Sequence, residues 1–158
     1  MGALAVIGIT ALVVVVTRCG GTTYTAVTVP VSKNPVGVAL DAGARTVYVT
    51  NSGDNTVSVI DGSKYTVLGN LPVGNKPEGV ATDPGTHTAY VTNSDDNTVS
   101  VIDGPKHAVT DTMAEKIRDI RHVEFGGMAP SGLAVDPGSH AIYVANRGDN
   151  SVWVFERR

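Results

Sequence analysis

The sequence predicts an all-β protein built from repeated antiparallel units, and three observations support this. Valine occupies nearly every apolar cluster, 18 of the 158 residues are glycine, and only 5% are aromatic. β-Branched residues favour strands, whereas glycine favours the turns between them. A pattern of apolar runs occurs three times in succession, with aspartate, asparagine, proline and glycine at fixed places between the runs. Together these features predict short strands joined by tight turns.

Three tetrads mark the repeat. Residues 48–51 read Tyr-Val-Thr-Asn, residues 90–93 read the same, and residues 143–146 read Tyr-Val-Ala-Asn. Tyr48 and Tyr90 lie 42 positions apart, whereas Tyr90 and Tyr143 lie 53 apart, so the second copy holds 11 additional residues before Pro130. A fixed period of this size indicates units that stack on one another.

Each copy begins with a strand that is apolar on both faces. In the first copy, Gly37 and Ala39 occupy one face and Val38 and Leu40 the other. Because successive side chains point to opposite faces, such a strand must be covered on both sides. We expect the small face of one unit to receive the bulky face of the next.

The rest of each copy follows in a fixed order: a turn, a second strand, a five-residue connection, a third strand and a looser outer strand. In the first copy these are residues 41–43, 46–50, 51–55, 56–60 and 65–73. In the Asp-x-Gly turn we expect aspartate to cap and glycine to take a left-handed conformation. The third copy ends too soon after Phe155 for an outer strand. Tyr24–Val31 has the missing character, because residues 29–31 match 71–73, and we expect it to complete the last unit.

The tetrads, each preceded by a Gly-x-Ala segment and an Asp-x-Gly turn and followed by an Asp-Asn turn, resemble the YVTN β-propeller repeat family from Tyr24 to the C-terminus. The resemblance implies four-stranded blades packed radially around a channel, often in exported or cell-surface proteins of prokaryotes. It implies no substrate. The predicted fold is therefore a β-propeller of three four-stranded blades, at about 35–76, 77–129 and 130–158, within a repeat domain over 22–158.

Propellers typically close with about four to eight blades, so three blades leave the ring incomplete. The arc stays open, two chains combine into six blades, or the chain belongs to a longer propeller. Because uncapped end faces in repeat proteins favour association, we expect a homodimer.

Residues 1–21 form an apolar N-terminal segment. Its apolar run, Ala3–Val16, is 14 residues long, whereas a helix needs roughly 20 residues to span a bilayer, so we expect no stable transmembrane helix. The length suits a signal-peptide core and predicts export to the periplasm, cell envelope or exterior. A cytoplasmic location and a strand of a degenerate preceding blade, over 9–16, remain alternatives. Arg18 argues against acylation of Cys19, the single cysteine.

Charge and motifs exclude several function classes. The net charge of −3 is spread without a run of Lys or Arg, which disfavours nucleic-acid binding. No nucleophile elbow, phosphate loop or zinc signature occurs. The sequence therefore predicts no catalytic, cofactor-binding or metal-binding residues.

The polar residues repeated in each blade have two interpretations. They are Asn51, Asp54, Asn93, Asp96, Asn146 and Asp149. Around an axis their oxygens suit calcium, but asparagine and aspartate also cap tight turns, and turn chemistry is the favoured interpretation. His87 and His140 follow the Asp-Pro-Gly turns, where the first copy has Arg45. We expect solvated rim residues there rather than a shared metal site.

Two further features bear on binding. Residues 147–149 spell Arg-Gly-Asp at a hairpin tip, but only the last position recurs in the other copies, so we expect the arginine to be incidental. In the insertion, Met113, Ile117 and Ile120 have helical spacing and predict a short amphipathic helix available for interaction.

These observations favour a non-enzymatic binding or scaffold module that presents loops and rim to a protein or glycan partner. The alternative is a metal-dependent hydrolase or lyase whose site forms in the propeller channel on oligomerisation.

Overall fold

The computed structural model describes residues 12–19, 22–114 and 128–156, and all of its regular elements there are β-strands. The first two, β1 (Leu12–Cys19) and β2 (Thr22–Thr28), pair antiparallel in a separate two-stranded sheet. No helix long and apolar enough to cross a membrane occurs in these ranges.

The remaining strands form three antiparallel sheets, here called the first, second and third blades. The first contains β3 (Pro35–Asp41), β4 (Thr46–Asn51), β5 (Thr56–Asp61) and β6 (Thr66–Pro72) in sequential order. The second contains β7 (Pro77–Asp83), β8 (Thr88–Asn93), β9 (Thr98–Asp103) and β10 (Ala108–Ala114). The third contains β11 (Pro130–Val135), β12 (Ile142–Asn146) and β13 (Ser151–Phe155). The predicted all-β propeller architecture is confirmed.

One expectation about the third blade is corrected. Tyr24–Val31 was expected to complete it, but Thr22–Thr28 pairs with Leu12–Cys19 instead. Within the described residues the third blade has three strands, and β13 is its outer edge.

The blades stack face to face and bury two apolar clusters. The first lies between the first and second blades and contains Tyr48, Val57, Val59, Ala89, Val91 and Ile102. The second lies between the second and third blades and contains Val99, Ile142, Val144 and Trp153. Full burial of one such aliphatic side chain contributes about 1.5–3 kcal/mol, so these interfaces hold the blades together.

Glycine allows the first strands of neighbouring blades, here called the inner strands, to approach closely. A Cβ added to Gly37 would lie 2.5 Å from the carbonyl oxygen of Glu78 and 3.4 Å from Cγ1 of Val80 in the next blade. The predicted packing of a small face against a bulky one is thereby confirmed.

The turns depart from expectation in one respect. Asp41 caps its turn, because Oδ1 accepts hydrogen bonds from the backbone amides of Gly43 and Ala44 at 3.0 and 3.1 Å. The left-handed position, however, belongs to Arg45, with φ of 52°, and not to Gly43. His87 and His140 take the same conformation, with φ of 53° and 60°.

Candidate functional site

Two aspartate–histidine pairs join consecutive blades. Nδ1 of His87 lies 2.7 Å from Oδ2 of Asp41, and Nδ1 of His140 lies 2.7 Å from Oδ2 of Asp83. The aspartate side chains are 1% exposed, whereas those of His87 and His140 are 41% and 34% exposed. Each histidine therefore binds a buried carboxylate of the preceding blade, while its ring stays partly exposed, as expected of a rim residue. Each pair leaves Nε2 of the imidazole for a further group.

The environment of Asp83 stabilises its charged form. Burial raises the pKa of Asp83, but hydrogen bonds from Thr86 Oγ1, from His140 and from the Gly85 amide outweigh it and hold the pKa below its usual value. The carboxylate thus accepts partners from its own turn and from the next blade.

This shift predicts an acid-sensitive contribution to stability. Because the folded-state pKa of Asp83 lies below the unfolded value near 3.8, its contribution is complete above that pH and is lost as the pH falls through the folded-state pKa. Urea midpoints of the wild type and Asp83→Asn should therefore converge below about pH 4. A constant difference between pH 6 and pH 3 would contradict this assignment.

The three tetrad asparagines are structural links inside their blades. Asn51, Asn93 and Asn146 are buried. Asn51 Nδ2 donates to Thr56 Oγ1 at 3.1 Å and to Ser58 Oγ at 2.9 Å. The other two also donate to hydroxyls of the following strand. They therefore tie together the two strands that flank their own turn.

The loop aspartates differ between copies. Asp54 Oδ2 accepts the backbone amide of Lys33 at 3.0 Å, and Asp96 accepts the amide of Asn75 at 2.6 Å. Asp149 instead caps its own hairpin through the amide and hydroxyl of Ser151. Among the described residues, no group of three or more His, Cys, Asp or Glu side chains is arranged to hold a metal.

The arginine of the Arg-Gly-Asp tripeptide is engaged between blades. Arg147 donates to Glu78 Oε1 of the second blade at 2.6 Å. Ser94 Oγ also donates to this carboxylate atom, at 3.2 Å. Arg147 therefore contributes to blade stacking.

The insertion is only partly described. Met113 lies in β10, within Ala108–Ala114, and packs against the second apolar cluster. It therefore does not begin a helix, because its strand extends the second blade. Ile117 and Ile120 lie outside the described residues.

A cavity of about 590 Å³ lies between the second and third blades. Its apolar lining comprises Tyr90, Val101, Met113, Ile142 and Phe155. Its polar lining comprises Thr86, Thr88, Thr110, Asp111 and Glu156, together with the Asp83–His140 pair.

Other inter-blade bonds escaped prediction. Thr50 Oγ1 donates to the carbonyl of Glu78 at 2.7 Å, and Thr92 Oγ1 donates to that of Ser131 at 2.7 Å. Asn55 Oδ1 accepts the amide of Lys76 at 2.9 Å. The recurrence of these residues was a signal, but it did not reveal that their partners lie in the next copy.

Comparisons with known proteins agree with this architecture. The family described as "Lactonase, 7-bladed beta-propeller" matches residues 38–158. Hydrazine synthase of Kuenenia stuttgartiensis is 23% identical, with a TM-score of 0.67, over 89% of this chain and 36% of that chain. The WD40 β-propeller domain of Doa1 is 11% identical, with a TM-score of 0.56, over 72% of this chain and 33% of that chain.

The two solved structures share the fold, and this chain spans about a third of the length of each. None of the curated proteins compared matches this chain. The family match covers more than three quarters of the sequence, including all three blades but for the start of β3. The chain therefore belongs to the seven-bladed β-propeller lactonase family.

Proposed function

We propose that this chain is a non-enzymatic propeller module that acts as a scaffold and presents its loops to a protein or glycan partner. The observation that carries the proposal is the use of the repeated polar side chains. Asp41, Asp83, Asn51 and Asn93 are buried and hold turns, strands or neighbouring blades together. Their role is structural, which is consistent with a rigid framework that presents variable loops.

The family match favours a second candidate function, the hydrolysis of a lactone ring. The chain would then be a hydrolase whose site forms in the channel of an assembled propeller. Fold alone does not determine activity. The partly exposed imidazoles of His87 and His140, each oriented by a buried aspartate, could act as a base in such a reaction.

A lactone assay separates the two candidates. Five- and six-membered lactones should be incubated with each oligomeric form of the full chain, with and without calcium. The scaffold proposal predicts rates equal to those in buffer. Saturable turnover that is lost in His87→Gln or His140→Gln, but kept in the loop variant Lys33→Gln, would favour the hydrolase.

We also propose that the module is exported, on the basis of the apolar run over residues 3–16. Residues 1–21 fused to a bacterial alkaline phosphatase lacking its own signal should give activity, because that enzyme folds only where disulfides form. Replacing Val14 and Val15 by aspartate in the same fusion should abolish the activity. Equal activity of the two fusions would contradict export.

A further inference from the structure

The sheet faces at the two ends of the blade stack are apolar, and no other part of the described residues covers them. At one end, Val36, Val38 and Leu40 of β3 are 60%, 70% and 55% exposed. At the other end, Tyr143, Val152 and Val154 of the third blade are 43%, 59% and 50% exposed. We call these surfaces the leading face and the trailing face.

Each end face matches one half of an interface inside the chain. The trailing-face residues occupy the repeat positions of Tyr48, Val57 and Val59, which are 1%, 0% and 1% exposed under the second blade. The leading-face residues occupy the repeat positions of Glu78, Val80 and Thr82. These three lie in β7, the first strand of the second blade, which packs against the first blade. A leading face is therefore the surface that a trailing face packs against.

Polar residues at the two ends are complementary as well. Asp136 occupies the position of Asp41 and Asp83, each of which binds a histidine of the next blade. In the first blade, the repeat position of these two histidines is occupied by Arg45, whose backbone is left-handed like theirs. A stacked copy would bring the Arg45 guanidinium to the Asp136 carboxylate, a favourable charge pair.

Among the described residues, the third blade has an unpaired edge at which a fourth strand could bind. β5 and β9 each pair with an outer strand, whereas β13 has none among the described residues. At the first interface Leu71 and Val109, from the two outer strands, pack against the apolar cluster. At the second interface a cavity lies beside Phe155 of β13.

The sequence before the first blade has the character of that strand. In the first blade, β6 directly precedes the inner strand of the second blade, with Pro72 five positions before Pro77. Pro30 likewise lies five positions before Pro35. By the repeat, Tyr24–Val31 belongs to whichever blade precedes the first.

We propose that a second copy of this chain supplies the preceding blade. The leading face of one copy packs on the trailing face of the other, and Tyr24–Val31 of the first pairs with β13 of the second. Two such contacts between copies of residues 1–158 close a ring of six blades, one fewer than the seven of the matched family and within the range of about four to eight that propellers use. The exchange replaces the pairing of Thr22–Thr28 with Leu12–Cys19 by pairing with β13.

Light scattering after size exclusion tests the association. The full-length wild type should be a dimer, whereas Val38→Asp and Val152→Asp should each be folded monomers. A mixture of these two variants should dimerise again, because one intact interface forms between them. Tyr65→Asp, in an exposed turn away from both faces, should remain dimeric. A wild type that stays monomeric, or a mixture that does not associate, overturns the proposal.

Disulfide trapping tests the strand exchange. Val152 occupies the position of Val57, which pairs with Leu71, and Leu71 corresponds to Val29. In a Cys19→Ser background, Val29→Cys in one copy and Val152→Cys in a differently sized, tagged copy should form a mixed disulfide on oxidation. Thr28→Cys should give much less of it, because it points to the other face. Equal trapping by both, or none by Val29→Cys, contradicts the exchange.

One position offers a gain-of-function test. Ala145 stands where Thr50 and Thr92 donate to a carbonyl of the next blade. Ala145→Thr should add that hydrogen bond at both interfaces of the dimer and lower its dissociation constant about 25-fold, or about fivefold for each bond. Ala145→Val, a matched β-branched control, lacks the hydroxyl and should not reproduce the gain. No tightening by threonine relative to valine would contradict the register.

Discussion

Gly79→Ala should lower the free energy of unfolding by about 2–3 kcal/mol, because a methyl group there has no room. A Cβ on Gly79 would collide with the backbone carbonyl of Ser131 and lie 2.9 Å from Cδ2 of Leu133 in the third blade. Backbone cannot move aside without separating the inner strands of the two blades. Urea unfolding followed by circular dichroism measures the loss.

Gly132→Ala is the matched control, because Gly132 occupies the same repeat position in the third blade. Apart from its chain neighbours, no atom of the described residues lies within 4 Å of the place that its methyl group would take. At concentrations low enough to dissociate the proposed dimer, this variant should unfold within about 0.5 kcal/mol of the wild type. Equal losses for the two alanine variants would show that strand propensity, and not blade packing, determines the effect.

Asp83→Ala should destabilise the chain by about 2–4 kcal/mol, since it removes a buried carboxylate that accepts three hydrogen bonds. The donors are the Gly85 amide, the Thr86 hydroxyl and Nδ1 of His140. The free energy of unfolding in urea at pH 7 measures the effect.

A double-mutant cycle with His140→Ala isolates the inter-blade part of this loss. We expect a coupling energy of about 1 kcal/mol, since the two side chains are in direct contact. Asp136→Ala removes the equivalent aspartate of the third blade, which is exposed and, among the described residues, binds its own turn. At concentrations that dissociate the proposed dimer, its loss should cost clearly less. Strictly additive losses from Asp83 and His140 would contradict an energetic link between the blades.

Much of the fold was predictable because the sequence repeats. Alternation in the first strand of each copy predicted that both of its faces are covered. This holds for β7, which packs between β3 and β11, whereas the face of β3 that carries Val38 and Leu40 is exposed. The repeated turns predicted where strands end. Met113 was one exception, because helical spacing over a few residues competes poorly with pairing along β9.

The candidate site was less predictable. His87 was expected at a solvated rim and is partly exposed, but its contact with Asp41, 46 positions earlier at the end of β3, was not predicted. A repeat identifies equivalent positions within each blade. It does not state which of them meet between blades, since that depends on how the sheets are stacked.

The sequence by itself determined the strands, the turns and the number of copies, because periodicity and turn chemistry act over neighbouring residues. The tertiary structure alone decided that Asp83 binds His140, that Arg147 binds Glu78 and that β13 has an open edge among the described residues. These contacts join residues that are distant along the chain, and only the stacking of one sheet on the next brings them together.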